Sequence, residues 1–195
     1  KRAGNEFLFQ MQAMMNIQVL DGYEVTRIVT ACPHCFNSLK NEYPQLGGNY
    51  EVLHHTQFLK KLLDEGRLTI EGGEFKGAKI TYHDPCYLGR ANEVYEAPRE
   101  LIRKLDAELV EMKRCRTKGL CCGAGGAQMF KEPEKGNKDI NLERTEEALG
   151  TSASTIVTGC PFCNTMMTDG VKHNEKESEV SVLDVAEMIA NAKEL

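Results

Sequence analysis

Six of the eight cysteines in this chain fall into three tight groups: Cys32-Pro-His-Cys35, the vicinal pair Cys121-Cys122, and Cys160-Pro-Phe-Cys163. The first and third groups are copies. Ile28-Val-Thr-Ala-Cys-Pro-His-Cys35 matches Ile156-Val-Thr-Gly-Cys-Pro-Phe-Cys163 at an offset of 128 residues. Downstream, Glu51-Val52 answers Glu179-Val180 at the same offset. Upstream, Gly4-Asn5-Glu6 answers Gly136-Asn137-Lys138 at an offset of 132, the difference falling in the turn Asp21–Glu24. A chance recurrence of Cys-Pro-x-Cys would not bring a β-branched segment with it, so an internal repeat is expected. Residues 1–73 then form the end of one repeat and residues 74–195 a complete second one. The second repeat carries Cys86 and Cys121-Cys122 ahead of its Cys-x-x-Cys. Counterparts in the first repeat are expected upstream of Lys1, leaving Cys32 and Cys35 as ligands without their partners. The start Lys1-Arg-Ala-Gly-Asn5 has neither Met nor an apolar signal core, and it reads as a cut inside a longer chain.

An even cysteine count first suggests a disulfide framework. Two features oppose it. The 41% hydrophobic residues are enough for a core without staples, and vicinal cysteines hardly reach disulfide geometry. Metal or redox chemistry in a reducing compartment is the better expectation. A net charge of −5 gives no electrostatic reason to expect nucleic acid or an anionic membrane surface. No apolar run approaches the ~20 residues of a spanning helix.

Strand and helix patterns alternate. Residues 5–20 place Phe7, Leu8, Met11, Met14 and Met15 at helical spacing. Val25–Thr30 reads as a strand, Phe36–Tyr43 as a helix stopped by Pro44, Glu51–Leu53 as a strand and Thr56–Glu65 as a helix closed by Gly66. After a turn from Gly72 to Gly77 come a strand at Lys79–His83, a helix at Pro98–Leu105 and a strand at Glu108–Met112. A helix at Ile140–Leu149 and strands at Ser154–Thr158 and Val180–Leu183 follow, then a last helix to Ala192. This order predicts an α/β fold with a mainly parallel sheet in Rossmann-like layers. The cysteines follow strands, at the carboxyl-end rim where such sheets assemble their sites.

Thiolates are the soft ligands that zinc and iron–sulfur clusters select. In the second repeat, 34 residues separate Cys86 from Cys121 and 37 separate Cys122 from Cys160, gaps that suit separate strand-to-helix loops of one sheet. Five sulfurs exceed the four of a tetrahedral zinc or an ordinary cube, which favours a polynuclear cluster. Gly123, Gly125 and Gly126 suit close backbone approach to a bulky inorganic body. As a phosphate cradle the loop departs from Gly-x-Gly-x-x-Gly, since Gln128 takes the third position. Two other readings remain open: Cys32 and Cys35 as a thiol–disulfide exchange pair, and structural zinc held by them with His54 or His55, or by four second-repeat cysteines.

His83-Asp-Pro-Cys86, Cys121-Cys-Gly-Ala-Gly-Gly126 and Gly159-Cys-Pro-Phe-Cys163 together resemble the cysteine-rich CCG domain of heterodisulfide reductase B and D subunits and related oxidoreductases. The resemblance covers the whole chain and is closest to the C-terminal part of large heterodisulfide reductase-like iron–sulfur oxidoreductases. It implies a non-cubane [4Fe-4S] cluster on Cys86, Cys121, Cys122, Cys160 and Cys163, with zinc or a cubane cluster replacing it in one repeat of some relatives. It also implies electron transfer toward a quinone chain or a disulfide-type substrate. Ferredoxin-type modules and a flavoprotein are the implied redox partners, and the implied location is the cytoplasm or the cytoplasmic face of a membrane.

Other residues carry smaller expectations. His54 and His55 should pack at the rim, His34 should be exposed, and His83 is a candidate for contact with the cluster. Tyr87 and Arg90 either line a substrate or partner surface or take a plain place on a helix face. Cys115 is expected to be an ordinary thiol, Asp139–Glu147 a solvated charged face and His173–Glu179 a polar loop.

Overall fold

The computed structural model describes residues 1, 4–71, 73–132 and 135–193, so Gly72 in the expected turn lies outside the described residues. Helix α1 (Glu6–Gly22) starts at Asn5, whose side chain accepts from the Leu8 N–H at 2.9 Å, a strong N-cap. The helix lies where the spacing predicts it, but its apolar residues face outward. Phe7 is 74% and Met15 55% exposed, while Ala13 and Ile17 are the buried contacts, against Tyr43. The surface beneath is narrow, lined by Tyr43, Leu46 and Tyr50, and it covers one stripe of the helix. Met14→Gln, on the exposed side, is therefore expected to change the unfolding free energy of this chain by less than about 0.5 kcal/mol in urea titration.

Strand β1 (Arg27–Thr30) runs parallel to β2 (Glu51–His54), with Ile28 opposite Val52. Between them, helix α2 (Pro33–Asn37) passes into a π turn at Ser38–Glu42 and a 3₁₀ turn at Tyr43–Leu46. The helix begins three residues earlier than predicted, because Cys32 is extended and Pro33 suits the first helical position. Helix α3 (His55–Asp64) follows β2 directly.

The remaining elements are β3 (Lys79–Tyr82), α4 (Glu96–Lys104), β4 (Glu108–Leu109), α5 (Ile140–Leu149), β5 (Thr155–Thr158), α6 (Pro161–His173), β6 (Ser181–Asp184) and α7 (Val185–Ala192). Their strands form one sheet in the order β4-β3-β5-β6, and every pair is parallel. The fold is α/β with parallel sheets, as the alternation predicts. β4 is two residues long rather than five, and α6 is a helix the residue pattern did not reveal. In β5–β6, Ile156 stands opposite Val182, as Ile28 stands opposite Val52. The counterpart of Val52 is thus Val182 and not Val180: the second Cys-x-x-Cys is followed by a stretch two residues longer, much of it in α6.

Ile80, Tyr82, Leu101, Ile102, Leu105, Val157 and the buried face of α7 form the main core, and Leu59 and Leu63 of α3 pack against it. No helix among the described residues is long and apolar enough to cross a membrane.

Candidate metal centre

The carboxyl ends of β3 and β5 supply the floor of the site. β3 leads into His83-Asp84-Pro85-Cys86. β5 leads into Cys160, the extended N-cap of α6, which is followed by Pro161 at N1 and by Cys163 in the first turn. Cys121 and Cys122 lie in an irregular loop between the 3₁₀ turns Arg116–Lys118 and Gly125–Phe130. Gly123 takes φ +91°, and a Cβ there would meet Ile140 Cβ at 3.3 Å and Asn141 N at 3.5 Å, so the loop packs this closely only on a glycine.

A buried ion network fixes the Cys86 loop. Asp84 receives Arg99 through Nη1 at 2.7 Å and Nη2 at 2.9 Å, and its Oδ2 also accepts the Arg116 N–H at 2.7 Å. Glu111 holds the other side of the guanidinium, at 2.6 Å from Nε and 2.9 Å from Nη2. Arg90 donates to the Gly119 carbonyl at 2.7 Å, joining the Cys86 loop to the approach to Cys121. Arg90 lies in a turn, not on a helix face.

The five expected ligands come together. Cys86 neighbours Cys121, which neighbours Cys122; Cys163 Sγ lies 3.3 Å from Cys122 Sγ, and Cys160 neighbours Cys163. All eight cysteines are free thiols. The run continues beyond the five: Cys160 contacts His34, His34 Nδ1 lies 3.9 Å from Cys32 Sγ, and Cys32 bonds Cys35. Seven sulfurs thus form one connected line, with Cys115 apart at the start of a 3₁₀ turn.

Protons are shared unequally along this line. Cys121 is driven far below the ordinary thiol range because Cys122 and Cys86 both hydrogen-bond it, and the Gly123 N–H adds a bond at 3.3 Å. Its neighbours rise in consequence: Cys122 to about 12, and Cys86 further. The Cys163 bond lowers Cys160 to about 6, and the Cys35 bond lowers Cys32 to about 4. A cation bound here takes over the role of those protons, as thiolate sites do when they load metal.

The histidines differ from expectation. His34 is half-buried, with Tyr87 at 4.5 Å and Phe162 at 5.7 Å between ring centroids, and bonds to Cys160 and then Cys32 raise it to about 9. His54 is fully buried and not at the rim: Nδ1 pairs with Thr56 Oγ1 at 2.8 Å and Nε2 with the Ala31 carbonyl at 3.3 Å. With both nitrogens engaged it is no zinc ligand for Cys32 and Cys35. His55 Nε2 pairs with Asp184 at 2.8 Å, which also turns it from that site.

His83 lies inside the site. A ring nitrogen sits within 4.8 Å of Cys122 Sγ and Cys163 Sγ, and Nδ1 is 3.0 Å from Arg144 Nε. Arg144 corrects the expectation for Asp139–Glu147: this helix buries an arginine completely, bonded to the Arg114 carbonyl and to Glu147. Arg99 and Arg144 were missed because a cation in a charged helix reads as surface. The one available signal was Asp84, an acid fixed in a ligand loop.

His54 and His83 are lowered to about 3 from 6.5, in each case chiefly by burial. The unfolded chain therefore binds more protons below pH 6.5, and stability falls with acid from there down to about pH 3. Each histidine is expected to cost about 2 kcal/mol between pH 6.5 and 5, read by denaturant unfolding of the metal-free protein. A stability that is flat over that range contradicts the buried neutral pair.

The fold and the gathered thiols define a class: parallel α/β proteins with a cysteine-built centre. The chain belongs to the CCG family, described as a cysteine-rich domain, whose model matches residues 1–40 and 80–168. It is 44% identical, over 100% of its length, to an EtfAB:quinone oxidoreductase of Syntrophomonas wolfei, and spans 28% of that protein. It is 48% identical to the probable iron-sulfur-binding oxidoreductase FadF of Bacillus subtilis, over 98% of this chain and 27% of that protein. A third relative is a component of the dihydromethanophenazine:CoB–CoM heterodisulfide reductase of Methanosarcina barkeri, 34% identical over 92% of this chain and 44% of that polypeptide.

Proposed function

We propose that this chain binds an iron–sulfur cluster through Cys86, Cys121, Cys122, Cys160 and Cys163 and carries electrons within a larger oxidoreductase of the heterodisulfide reductase type. The observation that supports it most is the unbroken contact of five thiols on the sheet rim. Zinc or an ordinary cube leaves one of them unused, whereas a non-cubane [4Fe-4S] cluster, two smaller units sharing an iron and a sulfide, employs all five. The cluster supplies one-electron chemistry; the chain's own residues exclude water and set its surroundings. A cavity of about 370 Å³, lined by His34, Tyr87, Phe162, Ala124 and Met129, opens beside the line of sulfurs, and it gives a disulfide-type substrate or a quinone room to approach.

Residues 1–73 are read as the C-terminal part of a first CCG repeat and 74–195 as a complete second. Cys32 and Cys35 then belong to a first site completed by residues outside this chain. In the whole protein, ferredoxin-type modules and a flavoprotein are the proposed electron partners, at the cytoplasmic face of a membrane, and the 195 residues alone are expected to show no turnover.

Anaerobic iron and acid-labile sulfide analysis with EPR tests the reading. About four of each per chain is expected; one zinc with no sulfide would move the site to a structural role. The low Cys32 thiol beside exposed Cys35 favours a second reading, thiol–disulfide exchange. A metal-free protein with a readily reduced Cys32–Cys35 disulfide would select it.

A further inference from the structure

We propose that His83 is a fixed hydrogen-bond donor to a sulfur of the cluster site, and that Arg144 is the positioning residue that makes it one. The proposal rests on the iron–sulfur reading of the five thiols. Arg144 Nε carries a hydrogen and has no lone pair to offer, so His83 Nδ1, 3.0 Å away, must accept. A neutral imidazole then keeps its proton on Nε2. That nitrogen is buried and has no hydrogen-bond partner among the described residues, although a buried N–H left unmatched is costly. His83 has a ring nitrogen within 4.8 Å of the Cys122 and Cys163 sulfurs. With Nδ1 taken by Arg144, Nε2 is the donor left to face them.

The same geometry argues against His83 as a metal ligand. Coordination through Nε2 would strip its proton while Arg144 still donated to Nδ1, leaving an imidazolate. Arg144 is itself fixed: Nη1 donates to the Arg114 carbonyl at 2.7 Å and to Glu147 at 3.1 Å. An N–H···S bond draws negative charge from a cluster and favours its reduced form. His83 is thus a tuning group placed by the loop after β3 and oriented from helix α5.

The test uses the full-length protein, purified anaerobically, with iron and sulfide measured first. In ¹⁵N-histidine protein, hyperfine spectroscopy of the reduced cluster is expected to show a weakly coupled nitrogen and a proton that exchanges in D₂O. His83→Leu should abolish both and lower the reduced-to-oxidised ratio at fixed potential about tenfold, which is about 59 mV downward for one electron. His83→Gln, which still donates, should recover part of that shift. Arg144→Leu should move the potential in the same direction, and the double variant no further than His83→Leu.

An intact cluster with unchanged potential and a retained exchangeable proton in His83→Leu would overturn the proposal. So would the strong coupling of a directly bonded nitrogen. If the leucine variant does not fold, the isotope measurement on the unsubstituted protein decides alone. Absence of iron and sulfide from that protein removes the cluster reading, and this inference with it.

Discussion

Serine in place of Cys122 is expected to reduce bound iron and acid-labile sulfide from about four each per chain to near zero. Cys122 stands in the middle of the five sulfurs, bonded to Cys121 on one side and 3.3 Å from Cys163 on the other. Its loss leaves two separated pairs, Cys86 with Cys121 and Cys160 with Cys163. Serine offers a harder oxygen on a shorter bond, a poor substitute for a soft ligand. Cys115→Ser is the control: Cys115 lies outside the line, and both contents should stay unchanged. If Cys122→Ser retains a full complement of iron and sulfide, the ligand set is wrong.

Arg99→Met is expected to destabilise the chain by about 3–5 kcal/mol, the usual result of removing one partner from a buried ion pair. Arg99 is 0% exposed, and Asp84 beside it is 5% exposed. The methionine fills much of the space but leaves Asp84 charged, with one backbone N–H from Arg116 in place of a guanidinium. Asp84 directly precedes Pro85-Cys86, so cluster content should fall along with stability. Arg99→Met combined with Asp84→Asn should recover part of the loss, since it removes the stranded charge. Denaturant unfolding measures both variants; a cost below about 1 kcal/mol for the single change would show that the loop is held by something else.

Much of this was legible in the residues. β-branched runs before Cys32 and Cys160 marked the strands, and the alternation marked the parallel sheet. What escaped has physical causes. The apolar spacing of α1 reported a helix but not its inward face, because Ala13, a small residue, makes the close contact with the 3₁₀ turn. α6 mixes Met166, Met167, Thr168 and Gly170 without a clear stripe, since Gly170 allows close packing on Thr145. Arg99 and Arg144 were hidden because ion pairing permits burial that composition alone argues against. The five thiols were visible from spacing, but their neighbours were not. His34 reaches Cys160 from helix α2, 126 residues away in sequence, and no local pattern encodes such a meeting.

The contacts of α3 bear on how the chain comes apart. His55, at the first turn of α3, grips Asp184, the N-cap of α7, while Lys60 reaches Glu100 of α4 at 2.8 Å and Lys193 reaches the Thr69 carbonyl at 2.9 Å. α3 also buries leucines in the core it shares with α4 and α7. A cut between residues 73 and 74 would therefore expose apolar surface on both pieces. The repeat boundary proposed at residue 73 is not a boundary for unfolding: both parts should melt together, in one cooperative transition.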